Sequence, residues 1–166
     1  MADQVSYRDF VRELVQADTA FAASVGDAEL EPSVAAMRRY EVFLDCFLWE
    51  RVVNECFSKV EEAQKLVDAF ASISLSMRAA DLSVGTFQAT YDSWRDDLLR
   101  AWEAQWDPAF RTRTGVKVPL ASVFVARCGC VGLSSLIYAD MLIRRRVASL
   151  RELFATLIRD NALSFD

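Results

Sequence analysis

From Val118 to Ile143 the chain reads VPLASVFVARCGCVGLSSLIYADMLI, and Arg127 and Asp140 are its only two charges. No polar stripe recurs there at helical spacing. A helix that is apolar all round is either a membrane span or the axis of a bundle. The longest charge-free run, Cys128 to Ala139, has 12 residues, whereas a span needs roughly 20. Arg127 would also sit at high cost within a bilayer. The stretch therefore reads as a central buried helix that other helices wrap. Its small residues, among them Ala121, Ala126, Gly129, Gly132 and Ser135, would let neighbours approach closely.

At 166 residues the chain has the length of one domain, 1–166. Only 5 Gly and 3 Pro interrupt it, which predicts long helices, and 53% apolar residues supply a large core. Nucleic-acid binders usually present a basic face, so a net charge of −5 counts against that class. The opening MADQVSYRDF has no basic region followed by an apolar run, so no signal peptide is expected. Cys46, Cys56, Cys128 and Cys130 lie in apolar helical segments at poor spacing for zinc, with no histidine to help. They read as buried free thiols, which points to a reducing, cytosolic compartment.

Taken in order, Tyr7, Phe10, Val11, Leu14 and Phe21 make the stripe of a first helix, Asp3 to Ser24. Asp18 lies on that stripe, odd for a core face, and reads as a carboxylate at the stripe's edge reaching water. Gly26 is a plausible stop. A second helix opens at Pro32 and runs to Phe57; its Val42–Trp49 run is apolar except for Asp45, so it is buried on two sides or meets a partner. Ser58 and Glu61 are spaced as a capping box, so a third helix is expected from Lys59 to Ser76. After the turn cluster at Asp81–Thr86, a fourth helix runs from Phe87 to Trp106 and ends at Asp107-Pro108. A basic connection with Arg111, Arg113 and Lys117 leads to Pro119, and a break near Gly132–Ser135 folds the central stretch into a hairpin. Ile143, Val147, Leu150, Phe154 and Leu157 mark the last helix, with Arg144, Arg145, Arg146 and Arg151 as a solvated face. The expected fold is an all-α bundle of about seven helices around a buried central helical hairpin.

Little catalytic chemistry is available. The absence of histidine removes the commonest general base and its nucleophile pairs, the Glu-x-x-His di-iron pattern and globin-like haem ligation. Asp92, Asp96 and Asp97 have the spacing to hold Mg²⁺ through waters, but read more simply as a solvated face. No enzyme, cofactor or metal is expected. The fourth helix is the binding candidate. Its Phe87, Tyr91, Trp94, Leu98, Trp102 and Trp106 fall on one face, and tryptophan is enriched at binding hot spots. The same stripe also reads as ordinary core. A groove formed with the central helix would suit an amphipathic partner helix. Its lining would be Tyr91, Trp94, Leu98 and Trp102, with Val116, Leu120 and Phe124 opposite. Arg113 and Lys117 would form the charged rim.

This layout resembles the Bcl-2 family, above all its divergent viral members. Trp102 to Phe110 is similar to the family's aromatic lead-in, and Gly115-Val116-Lys117-Val118-Pro119 sits where its Asn-Trp-Gly-Arg turn would be. Gly115-Val116-Lys117-Val118 also resembles a Ser-Val-Lys-Leu run of some poxviral members. Phe124 and Gly129 fall where the family often has Phe and Gly, Tyr7–Leu14 is similar to its first helix, and Leu157–Asn161 to its last homology segment. The tetrapeptide itself is absent, so Lys117 or Arg113 would replace its arginine. The resemblance implies sequestration of amphipathic pro-apoptotic helices and inhibition of apoptosis, in the host cytosol or at the mitochondrial surface. A second expectation within the same fold is a dimeric inhibitor of innate immune signalling, with Phe43, Phe47 and Trp49 as the dimer face. A third is a non-enzymatic carrier or structural bundle whose tryptophans line an apolar cavity.

Overall fold

The computed structural model describes residues 4–24, 32–106, 109 and 118–166. Seven helices occupy these residues: α1 (Tyr7–Ser24), α2 (Pro32–Arg38), α3 (Glu41–Cys56), α4 (Val60–Arg78), α5 (Val84–Trp106), α6 (Pro119–Arg127) and α7 (Leu133–Arg159). Two short strands, β1 (Val5–Ser6) and β2 (Leu163–Ser164), pair in parallel. The expected all-α bundle is therefore the fold, with that one clip added. Among the described residues no helix is long and apolar enough to cross a membrane.

The axis is α3, not the stretch from Val118 to Ile143. Eleven residues of this 16-residue helix are buried, including Val42, Phe43, Leu44, Phe47, Leu48 and Trp49. Its apolar positions go all round, so it packs against α4 on one side, α5 on another and α7 on a third. The supposed central segment divides at Cys128–Gly132, where Gly129 and Gly132 take positive φ of 68° and 104°. Such angles suit glycine, which has no Cβ to clash. Beyond the break, Leu133 (71%), Ile137 (51%) and Met141 (65%) are exposed. α6 and α7 do pack as a hairpin, but its second arm is buried on one face only, at Ser135, Ala139 and Ile143. The outer helix continues unbroken to Arg159, because nothing between Ile143 and Leu157 interrupts it.

Other boundaries shift for local reasons. Arg39-Tyr40 is a turn that splits the expected second helix into α2 and α3. The Ser58 box does not form: α4 starts at Val60 with no side-chain cap, and Ala63 N–H donates to the Lys59 carbonyl. The Ser83 hydroxyl instead caps α5, accepting from the Thr86 amide at 3.1 Å. Gly26, Asp107-Pro108, Arg111, Arg113, Val116 and Lys117 lie outside the described residues.

Chain direction alternates simply. α4 returns antiparallel along α3, since Trp49 Nε1 donates to the Leu66 carbonyl and Asp45 meets Arg78. α7 runs alongside α3 in the same direction, as Tyr138 reaches Glu41 and Arg151 reaches Glu55. α1 packs along α4, and β1 preceding it pairs with β2 following α7. Tyr7 stacks on Phe165 there, centroids 5.5 Å apart.

Candidate functional site: a furrow between α1 and α7

The described part of the α5 stripe is core, Tyr91 apart. Trp94 (5%), Leu98 (0%) and Trp102 (7%) are buried, as are Leu120 and Phe124 of α6, both at 0%. Trp94 packs on Phe43 at 5.3 Å and on Phe124 at 6.2 Å, and Trp102 meets Phe47 edge-on at 6.1 Å. The groove expected along α5 is thus closed by α3, whose own rings fill it. Phe43, Phe47 and Trp49, expected as a dimer face, are at most 3% exposed for the same reason. Among the described residues of the expected lining, Tyr91 alone keeps partial exposure, and its hydroxyl is taken by Glu50 Oε2 at 2.8 Å. Leu98→Ala is accordingly expected to lower unfolding free energy by about 3 kcal/mol, as a cavity-forming core substitution. A urea unfolding curve measures it.

Glu50 is nearly buried and gathers Tyr91, Arg95 and Arg51. Burial pushes its carboxyl up, but hydrogen bonds from Arg95 and Tyr91 more than offset this and hold it below the ordinary glutamate value. The sign follows from linkage: a carboxyl depressed in the fold adds stability above its unfolded value and loses it as pH falls through the folded one. Wild-type stability should therefore drop on acidification below about pH 4.5, the ordinary glutamate range. In Glu50→Gln that drop should be shallower, which thermal melts between pH 3 and pH 6 would read. Asp97 is tied to Arg100 and Arg127, and Asp92 accepts from Gln88. These aspartates belong to surface pairing networks. Among the described residues no group of three or more acids or thiols is placed to hold a metal, and all four cysteines are free. Cys46 is buried, which raises its thiol to about 12 and leaves it unreactive.

The open site lies on the other flank of α3. α1 packs along α4 and α7 along α3, but α1 and α7 share no extended packing. They stand apart over a floor made by α3 and α4. The furrow between them holds about 1120 Å³. One end is apolar, with Leu14, Trp49, Phe70, Leu150 and Leu153 around it. Its other end carries Asp18, Arg38 and the arginine triplet, and two exposed apolar side chains form its lips, Phe21 at 73% and Met141 at 65%.

A charge network fixes the floor. Asp45 of α3 accepts from Arg78 of α4 at 2.6 Å and from Arg146 of α7. Arg146 also donates to Glu41 at 2.9 Å, and Tyr138 donates to Glu41 at 2.9 Å. Burial draws the Arg78 guanidinium below its ordinary value, against the pull of Glu41 and Asp18. The Tyr138 phenol is pushed up, first by burial and then by Glu41. The network sets the spacing of α3, α4 and α7. Arg38 closes the far end by donating to the Ala22 carbonyl at the end of α1.

No family model, curated protein or solved structure matches the chain. Its function is therefore argued from this site alone. Sequence reasoning passed over the furrow, although two signals pointed to it: Asp18 sitting on the α1 stripe, and three consecutive arginines beside an apolar face.

Proposed function

We propose that this chain is a non-catalytic binding protein that takes an amphipathic helix of another protein into the furrow between α1 and α7. One observation carries the reading: two helices stand apart over a packed pair, with apolar side chains exposed on both lips. Exposed apolar groups beside a concave floor that is apolar at one end mark a docking site. The scale suits a helix. From Tyr138 to Leu153 the α7 wall is roughly 22 Å long at 1.5 Å per residue, and a helix of that length fills a cylinder of roughly 1,700 Å³. The furrow's 1120 Å³ would take about two-thirds of it, leaving a wet outer face as helix-in-groove recognition does. Through the resemblance to the Bcl-2 family, pro-apoptotic helices are the first partners to test, and their sequestration would inhibit apoptosis in the host cytosol.

Calorimetric titration with a panel of amphipathic helical peptides, pro-apoptotic ones included, tests this. At least one should bind at micromolar concentration. Ser149 is exposed on the furrow wall, so Ser149→Trp should fill the site and weaken binding at least tenfold without lowering the melting temperature. If no peptide binds, or if Ser149→Trp binds as well as wild type, the reading falls.

The stripe of Leu133, Ile137 and Met141 on α7 favours a second reading, a self-association face for a dimeric signalling inhibitor. Sedimentation of wild type beside Ile137→Glu tests it: a dimer that dissociates in the variant supports this reading, and a wild-type monomer removes it.

A further inference from the structure

The two walls of the furrow differ in charge. On α1 the lining face carries Asp18 between Leu14 and Phe21, and no cation. Asp18 is exposed and makes no ion pair among the described residues. On α7 the lining face carries three arginines and no acid. Arg144 is matched by Asp140 and Arg146 by Asp45 and Glu41. Arg145 is exposed and has no partner among the described residues. One wall thus ends in an exposed anion without an ion pair, which pulls on Arg78 of the floor, and the other in an unmatched cation.

We propose that the furrow selects a helix with opposite charges on the two flanks of its apolar stripe, basic towards α1 and acidic towards α7, and that this difference sets the helix's direction. The inference rests on the furrow being a helix site. A helix lying there turns its stripe to the floor and its flanks to the walls. Reversing its N-to-C direction exchanges the flanks. For a helix with its acid on a given flank, one direction meets Arg145 with the acid and Asp18 with the base. The other direction sets acid against Asp18 and base against Arg145. Rim charges of this kind govern orientation and partner choice more than bulk affinity. The device accounts for both oddities of the sequence, the acid on the α1 stripe and the unpaired member of the arginine triplet.

The test uses a displayed library of 18-residue helices. The apolar stripe is held at i, i+3, i+4, i+7 spacing and the flanks are varied among Glu, Gln and Lys. Selection on the full chain should enrich Glu on one flank and Lys on the other over like-charged and neutral flanks, and a spin label at the peptide N-terminus should broaden signals at opposite ends of the furrow for the two mirror arrangements. In the double variant Asp18→Lys with Arg145→Glu the labelled winners should lie the other way round, and in Asp18→Asn with Arg145→Gln they should bind about tenfold less tightly and lose their fixed direction. Both substitutions are at exposed positions, and matched melting curves check that the fold is kept. Winners with like charges or neutral flanks, still lost on Ser149→Trp, would overturn the charge rule and leave the helix site standing. An absence of winners, or winners indifferent to Ser149→Trp, would remove the site and the rule with it.

Discussion

Trp49→Ala should lower the free energy of unfolding by about 5 kcal/mol, at the top of the range for aromatic truncation in a core. The indole is 1% exposed, stacks on Phe70 with centroids 4.4 Å apart, and meets Phe154 edge-on at 5.0 Å. Its N–H donates to the Leu66 carbonyl at 3.1 Å. Alanine would lose the packing of three helices, α3, α4 and α7, leave a cavity, and remove the second donor of the Leu66 carbonyl. In a chain of this size each kcal/mol moves the melting temperature by about 2–4 °C, so a fall of about 10–20 °C is expected by calorimetry. Trp49→Phe keeps most of the volume but not the donor and should cost less than half as much. A loss below about 2 kcal/mol for the alanine variant would mean that α3 is not the axis.

Asp45→Ala should cost about 4 kcal/mol, because it leaves Arg78 in a buried site without its carboxylate. The Asp45 side chain is 11% exposed and that of Arg78 17%, so solvent would replace little of the lost attraction. Arg146 retains Glu41, which limits the damage on the α7 side. The double variant Asp45→Leu with Arg78→Met removes both charges together and should be less destabilised than the sum of the single variants. Urea unfolding of the four proteins measures the coupling. Additive losses would show that the pair contributes nothing beyond its separate contacts.

How much of this was legible beforehand differs by element. The helices were, because stripes such as Val147, Leu150, Phe154 and Leu157 fix period and face together. The axis was not, since two stretches were nearly free of charge, Val42–Trp49 and Val118–Ile143. The count of apolar residues does not say which has the more neighbours. Asp45, the one charge in the first stretch, is among the residues that tie α3 to α4 and α7. Leu133, Ile137 and Met141 carried the same hydropathy as core leucines while facing water. Trp94 and Trp102 of α5 do share one face, but their destination depended on Phe43 and Phe47, some fifty residues distant in the chain. A furrow arises from two helices failing to touch, and no local pattern encodes an absent contact. Only its charged margins, Asp18 and Arg145, left a trace.

The parallel clip of Val5–Ser6 with Leu163–Ser164 joins the foot of α1 to the foot of α7. The furrow's walls are therefore tied directly to each other beyond its apolar end, and among the described residues nothing so direct joins them at the end where Phe21 and Met141 stand.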